Sequence, residues 1–387
     1  MLPADAFFGD LAYSCGVSVS KDMATVNLLD LAASALISTV GASAPIRSYA
    51  TLDSCDAEKK NAKLKTDGTV VTDADFAAQG IIVRALRQTP GNFRIIGEES
   101  QEEMERHMKE ESAGEAEDRM HLFRLAQLEM YKRFQQIEMA TPPLSANVDG
   151  IPHNEGLPSM EDTSDKPEYI VDASRVSVYV DPLDGTKSYA KGDYDSVTIL
   201  VAIILDNVPY FGVITKPFGY KTYSTILETH CVAVYGGVLL NGVYLAGGKK
   251  CEVNALGDDL PRAVISSSRA DGVVRDFVDH LAEHEVIDAH PLLVSGAGEK
   301  SLRLVLGNEK ETLWFFPRAG TSRWDIAASD ALLRALGGAV TDKYGHELDY
   351  SKSREDAENV DGIIASNSST LHAECIRLFK EGDWKNR

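Results

Sequence analysis

The order of apolar segments predicts an α/β chain whose first half is of the α+β kind. Three observations carry this. Helix-like periodicity dominates the first 90 residues, strand-like runs cluster between about 170 and 250, and strand and helix patterns alternate after about 250. A chain of 387 residues can bury a large core, and its length suggests two domains or one large layered one, with the two drawn here at 1–250 and 251–387.

From Lys21 to Val40 the apolar residues recur at helical spacing, with Gly41 placed to stop the helix. A second helix runs from about Asp73 to Arg87, ahead of Pro90 and Gly91. "FRIIG" is a short strand leading into Glu98-Glu99-Ser100. Residues 101–168 read as an insertion, with an amphipathic helix ("DRMHLFRLAQLEMYKRFQQIEM") between two mobile, polar arms. "RVSVYV", "SVTILVAII", "YFGVITKPF" and "CVAVYGGVLLNGVYL" are β-branched and aromatic, parted by turn residues such as Asp206-Asn207 and Asn241-Gly242. Then "AVISSS", the helix "VVRDFVDHLAEH", "PLLVSG", the helix "KSLRLVLGN", "TLWFFP" and the helix "WDIAASDALLRALGG" follow in alternation.

Composition narrows the function classes. A net charge of −20 argues against a nucleic-acid polymer as partner, since phosphate chains need a basic face. Part of that charge is local: residues 98–118 hold ten Asp or Glu against two Lys or Arg, the mark of a solvated face. No window approaches the roughly 18 consecutive apolar residues of a membrane span. The acidic start, "MLPADAFFGDLAYSC", lacks the basic flank of a secretory or mitochondrial leader. Five cysteines (Cys15, Cys55, Cys231, Cys251, Cys375) are spread without CxxC spacing, so a reduced, cytoplasmic setting is expected.

Four acidic positions lie where an apolar element meets a turn: Asp75, the Glu98-Glu99 pair, the Asp181/Asp184 pair of "YVDPLDGTKSY", and Asp325. Each alone reads as a turn or a helix cap. Together, with no Cys or His among them, they form an all-oxygen set suited to a hard cation, Mg²⁺ above all. Pro182 is expected to turn the strand so that Asp181, Asp184 and the carbonyl of Leu183 converge. Gly185 allows close approach of a phosphate, and the amides around Gly185–Lys187 would open a helix N-terminus. Carboxylates for metal beside amides for phosphate imply metal-assisted phosphoryl transfer.

The set "VVTDADFAAQ", "IIGEES", "VDPLDGTKSY" and "RWDIAASDALLRALGGAVTD" resembles the magnesium-dependent, lithium-sensitive phosphatases of the inositol monophosphatase-like superfamily. The resemblance covers roughly residues 20–100 and 170–370 and implies a layered αβαβα fold. It implies Glu98, Asp181, Asp184, Asp325 and the Leu183 carbonyl as ligands of two or three Mg²⁺ ions, with Glu99 acting through a bound water and Li⁺ as an inhibitor. Asp75 matches the acid that orients the attacking water, Asp73 has no such counterpart, and Thr186 matches the hydroxyl paired with an acid. On the substrate side it implies Gly185, Thr186, Lys187, Ser267, Ser268, Arg269 and Lys300. "DPLDGTK" followed by an aromatic looks more like the bisphosphate nucleotidases than like the inositol polyphosphate 1-phosphatases. The expectation is therefore removal of the 3′-phosphate of 3′-phosphoadenosine 5′-phosphate, with the 1-phosphate of inositol 1,4-bisphosphate as the alternative and both activities together as a third outcome.

Overall fold

Helix, sheet, helix, sheet and helix stack as five layers. The computed structural model describes residues 24–51, 63–64, 70–100, 102–104, 113–140, 169–219, 231–246, 249–252, 259–270, 272–307, 310–382 and 384. β1 (Thr25–Asn27) leads into α1 (Leu28–Thr51), β2 (Lys63–Leu64) and β3 (Val70–Val71) precede α2 (Asp73–Leu86), and β4 (Arg94–Gly97) follows. Next come α3 (Ala113–Ala140), β5 (Ile170–Asp172), β6 (Val176–Asp184), α4 (Thr186–Ala190), β7 (Thr198–Leu205) and β8 (Val208–Lys216). β9 (Val232–Gly237), β10 (Gly242–Leu245) and β11 (Lys250–Cys251) complete the first sheet. The last third holds β12 (Arg262–Ser266), α5 (Val273–Glu283), β13 (Leu292–Val294), α6 (Ala297–Leu306) and β14 (Glu311–Phe316). It closes with α7 (Arg323–Ala335), β15 (Ala339–Thr341), β16 (Ile363–Ser366) and α8 (Ser369–Glu381).

The first sheet has the order β11-β10-β9-β8-β7-β6-β4 and is antiparallel except where β4 joins β6. The second, β13-β12-β14-β16-β15, is parallel across β13, β12 and β14 and antiparallel at β16 and β15. α1 and α2 cover the outer face of the first sheet, α6 and α7 fill the gap between the sheets, and α5 and α8 cover the outer face of the second. The middle core joins both sheets: Tyr179, Leu200 and Ile214 from one meet Trp314, Phe316 and Ile363 from the other through Ile326, Ala327 and Leu332 of α7. The expected turn at Asp206-Asn207 is present, both residues taking positive φ (50° and 67°) between β7 and β8.

The first helix differs from its expected bounds. It begins at Leu28, after a short strand, and runs through Gly41 and Pro45 to Thr51. Burial of Ala42 and Ile46 beyond the glycine outweighs the roughly 1 kcal/mol that one Gly costs a helix. By length and composition Leu28–Ala50 would also suffice to cross a membrane, which corrects the expectation that no segment comes near; 78% of its most apolar window is buried within the fold.

The helix of the 101–168 segment is longer than expected and built into the first layer. Ala126 and Met130 are buried against α1, Tyr131 accepts a hydrogen bond from Asn27 at 2.8 Å, and Gln127 donates to Asp30 at 2.7 Å. The arms expected on either side fall mostly at 105–112 and 141–168, outside the described residues. A 2.7 Å contact between the Ser34 and Thr89 hydroxyls places the start of α1 at the end of α2. The described helix α3 therefore docks about 20 Å along α2 from Asp75.

Candidate active site

In a regular strand, residues three apart point to opposite faces. β6 evades this with a bulge: Asp181 pairs with Leu200 and Asp184 with Thr198, so Pro182 and Leu183 together oppose Ile199. Partners two apart share a face, so Asp181 and Asp184 do too. The expected turn at Pro182 is thus a bulge within a strand that runs on to Asp184, and the chain turns at Gly185 (φ 85°), the N-cap of α4. Only a residue at ease in the left-handed region fits there.

Across the gap, α7 begins with a capping box in which Ser322 is the N-cap and Asp325 the third residue. Oxygens of Asp181, Asp184 and Asp325 come within 4.8 Å of one another. Each carboxylate has one oxygen already held. Asp325 Oδ2 accepts from the Ser322 amide at 2.5 Å, Asp184 Oδ2 from the Thr198 hydroxyl at 3.0 Å and the Gly298 amide at 2.7 Å, and Asp181 Oδ1 from the Leu183 amide at 3.1 Å. Gly298 has to be glycine for this, because a Cβ would overlap the Thr198 side chain. Asp181 Oδ2 is buried with no hydrogen-bond partner.

Asp75 repeats the device at α2. It is the third residue of a capping box with Thr72, accepting from the Thr72 amide at 2.8 Å and its hydroxyl at 2.6 Å through Oδ2. Its Oδ1 lies 3.1 Å from the Thr186 hydroxyl, which also lies 2.9 Å from the Leu183 carbonyl. The capping reading of Asp75 and Asp325 is therefore realised through one oxygen of each, while Asp75 Oδ1 meets Thr186 and Asp325 belongs to the acidic cluster.

β4 leads into the remaining acids, Glu98 and Glu99, which the 4.8 Å cluster does not include. It runs parallel beside β6 with Gly97 opposite Val180, and the Glu98 amide donates to the Val180 carbonyl at 3.0 Å. Glu99 is buried, and its backbone is clasped by Gln79, whose amide donates to the Glu99 carbonyl at 2.7 Å and accepts from its N–H at 2.9 Å. Burial first, then the negative charges of Glu98 and Glu99, push Asp75 up to about 8. Burial followed by Asp184 and Glu98 pushes Asp325 up to about 7, and burial with Glu98, Asp184 and Asp325 holds Asp181 well above the usual carboxylate range. Converging acids, an all-oxygen donor set and an orphaned buried oxygen fit a hard divalent cation such as Mg²⁺.

Substrate-side candidates lie around this cluster. Lys300, on the first turn of α6, is buried, donates to the Gly296 carbonyl at 2.5 Å and sits 4.9 Å over the Trp314 ring. Burial draws its ammonium down to about 8 against the opposing pull of Asp184 and Asp325. Ser267, Ser268 and Arg269 are exposed at the C-terminal end of β12. The Ser267 hydroxyl meets that of Ser295 at 2.6 Å, one residue before Gly296, while Arg269 donates to the Gly320 carbonyl at 3.2 Å. These are the carboxyl ends of parallel strands, where α/β sheets open their crevice. Lys187 is exposed on α4 and makes no ion pair with the carboxylates among the described residues.

Sequence reasoning missed Thr72, Gln79, Thr198 and Ser322, which hold the acids in place. "TDAD" and "SRWD" carry the capping spacing that could have found Thr72 and Ser322. Gln79 and Thr198 act across 20 and 14 residues with no local signal.

Residues 137–382, nearly two thirds of the chain, match the inositol monophosphatase family. That stretch holds Asp181, Asp184 and Asp325 but begins after Asp75 and Glu98. The 3′(2′),5′-bisphosphate nucleotidase 1 of Homo sapiens is 33% identical over 191 residues, covering 49% of this chain and 56% of that protein. The protein of the same name from Dictyostelium discoideum is 30% identical over 211 residues, 52% of this chain and 63% of its own length. Inositol monophosphatase 3 of Danio rerio is 31% identical over 202 residues, 51% of each chain. The matches thus span between half and two thirds of the curated relatives' lengths. Among solved structures, CysQ from Bacteroides thetaiotaomicron, a bacterial member of the inositol monophosphatase family, superposes with a TM-score of 0.54 at 20% identity. It covers 87% of this chain and 97% of its own, a likeness of fold.

Proposed function

The chain belongs to the inositol monophosphatase family, and from that premise we propose that it is a Mg²⁺-dependent phosphomonoesterase. The substrate proposed is 3′-phosphoadenosine 5′-phosphate, cleaved to AMP and phosphate. The observation that carries the reading is the convergence of Asp181, Asp184 and Asp325 within 4.8 Å around an oxygen that has no partner. The nucleotidase names of the human and Dictyostelium relatives support the substrate.

Glu98, Asp181, Asp184, Asp325 and the Leu183 carbonyl would hold the cations. Bound there, divalent ions supply charge neutralisation for the phosphoryl oxygens and acidify nearby water. The chain's own part is proton handling and orientation. The Thr186 hydroxyl oxygen accepts a hydrogen bond from the attacking water as its own hydrogen turns to Asp75 Oδ1. In its deprotonated form Asp75 takes that proton through Oδ1. Gly185, at the N-cap of α4, leaves the backbone open to the phosphate, and the buried Lys300 places a cation beside it. A cytoplasmic location belongs to the same proposal, supported by the free, buried Cys251 and Cys375.

A second reading, release of the 1-phosphate of inositol 1,4-bisphosphate, draws on the inositol phosphatase name of the Danio rerio relative. One assay separates them: phosphate release from both compounds side by side, with Mg²⁺, with EDTA, and with Mg²⁺ plus Li⁺. The proposal expects Mg²⁺-dependent, Li⁺-inhibited release, faster from the nucleotide. Faster release from the inositol compound selects the second reading, and release untouched by EDTA rejects both.

A further inference from the structure

Glu98 sits on the turn after β4, and Asp325 sits at the start of α7. One irregular segment, 349–359, is hydrogen-bonded to both places. On the α7 side, Arg323 donates through Nε to the Asp349 carbonyl at 3.3 Å, through Nη1 to the Ala357 carbonyl at 3.1 Å, and through its backbone amide to the same Ala357 oxygen at 2.9 Å. Asn359 donates from its amide to the Thr321 carbonyl at 2.8 Å and from Nδ2 to the Thr321 hydroxyl at 3.0 Å, and Ser322 bridges Glu358. These contacts flank the cap whose third residue is Asp325.

On the β4 side, Arg354 reaches across from the second sheet. Its Nη2 and Nε donate to the Glu98 carbonyl at 2.6 and 3.1 Å, and Nε lies 3.2 Å from the Gly97 carbonyl. The strap is fastened to the first sheet as well. The Tyr179 hydroxyl lies 3.0 Å from the Tyr350 carbonyl, and Arg94 donates to the Ser351 carbonyl at 3.2 Å. With Gln79 gripping Glu99 from α2, the acidic turn is held from two sides.

We propose that Arg354 is a positioning residue for cation binding, and that the 349–359 strap sets the spacing between the Glu98 turn and the Asp325 cap. This rests on the metal-site reading above. Arg354 bonds the carbonyl of Glu98 rather than its carboxylate, so it acts by fixing the direction in which that side chain leaves the backbone. Ligand-orienting contacts of this kind typically change metal affinity by roughly 10–100-fold when removed. One short strap thus holds a turn of the first sheet and the start of the middle helix α7. Cutting either end leaves the ligands present but misaligned.

The test is Mg²⁺ titration of the full chain by calorimetry, without substrate, for the wild type, Arg354→Met and Arg354→Lys. The expected result is Mg²⁺ affinity lower by about tenfold or more in Arg354→Met. Arg354→Lys, which keeps the charge on a single donor nitrogen, should fall between, with circular dichroism unchanged in both. Equal affinity in all three proteins overturns the inference. So does a lower melting temperature with Mg²⁺ affinity intact, which would make the arginine a brace for the fold alone. A wild type that takes up no Mg²⁺ overturns the metal reading and this inference with it. Should the methionine variant not fold, the lysine variant alone decides, since it too must lose affinity.

Discussion

Two groups of buried acids lie next to each other in this molecule and are neutralised in opposite ways. Glu299 is paired with Lys216 at 2.6 Å and Arg303 at 3.0 Å, and Arg303 reaches Glu311 at 3.5 Å. One residue earlier, the Gly298 amide holds Asp184 of the second group. Among the described residues no Lys or Arg is ion-paired with Asp75, Asp181, Asp184 or Asp325, and the buried Lys300 donates to the Gly296 carbonyl. The first group carries its counter-ions in the sequence. The second has none among the described residues, and under the proposal above a cation from outside supplies the charge.

Removing one charge should therefore act in opposite senses in the two places. Asp181→Asn is expected to lower Mg²⁺-dependent phosphate release by roughly a thousandfold or more, because cation stabilisation of the transition state is worth several kcal/mol. The same substitution should leave cation-free stability unchanged or higher, since it relieves repulsion from Glu98, Asp184 and Asp325. Lys216→Met, by contrast, takes one of its two cations from the buried Glu299, leaving Arg303 alone, and should lower stability by up to about 3–5 kcal/mol. Urea unfolding of both variants in EDTA checks this, and equal destabilisation would erase the distinction.

A smaller effect sharpens the same contrast through pH. Asp75 and Asp325 are raised from 3.8 to about 8 and about 7, so between about pH 4 and 8 the folded state keeps protons that the unfolded state has lost. Stability of the cation-free protein then falls as pH rises through this window. Mg²⁺ needs the deprotonated acids, so its stabilising shift in melting temperature should grow from pH 6 to pH 8. Melting curves in EDTA and in Mg²⁺ across that range decide it, and a shift independent of pH would contradict the assignment of the raised acids to the cation site.

Much of this was legible from local pattern. The bounds of α2 and the turn at Asp206-Asn207 follow from residues that decide their own conformation. So do the strands flanking the acids. The course of α1 was not legible, because Gly41 and Pro45 signal an end that burial of Ala42 and Ile46 overrides. Pro182 likewise pointed to a turn, whereas pairing with β7 absorbs it as a bulge. The acids could be named from their places where apolar elements meet turns, and Thr186 only from the family resemblance. Their holders could not, since Gln79, Thr198 and Arg354 act through contacts 14 to 256 residues away.

The most direct measurement is anomalous diffraction from crystals grown with Mn²⁺ as a stand-in for Mg²⁺. The account predicts a peak among Asp181, Asp184 and Asp325, about 2 Å from Asp181 Oδ2, lost in crystals of Asp181→Asn. Ordered Asp181, Asp184 and Asp325 with no peak between them, at a Mn²⁺ concentration that supports phosphate release, would contradict it.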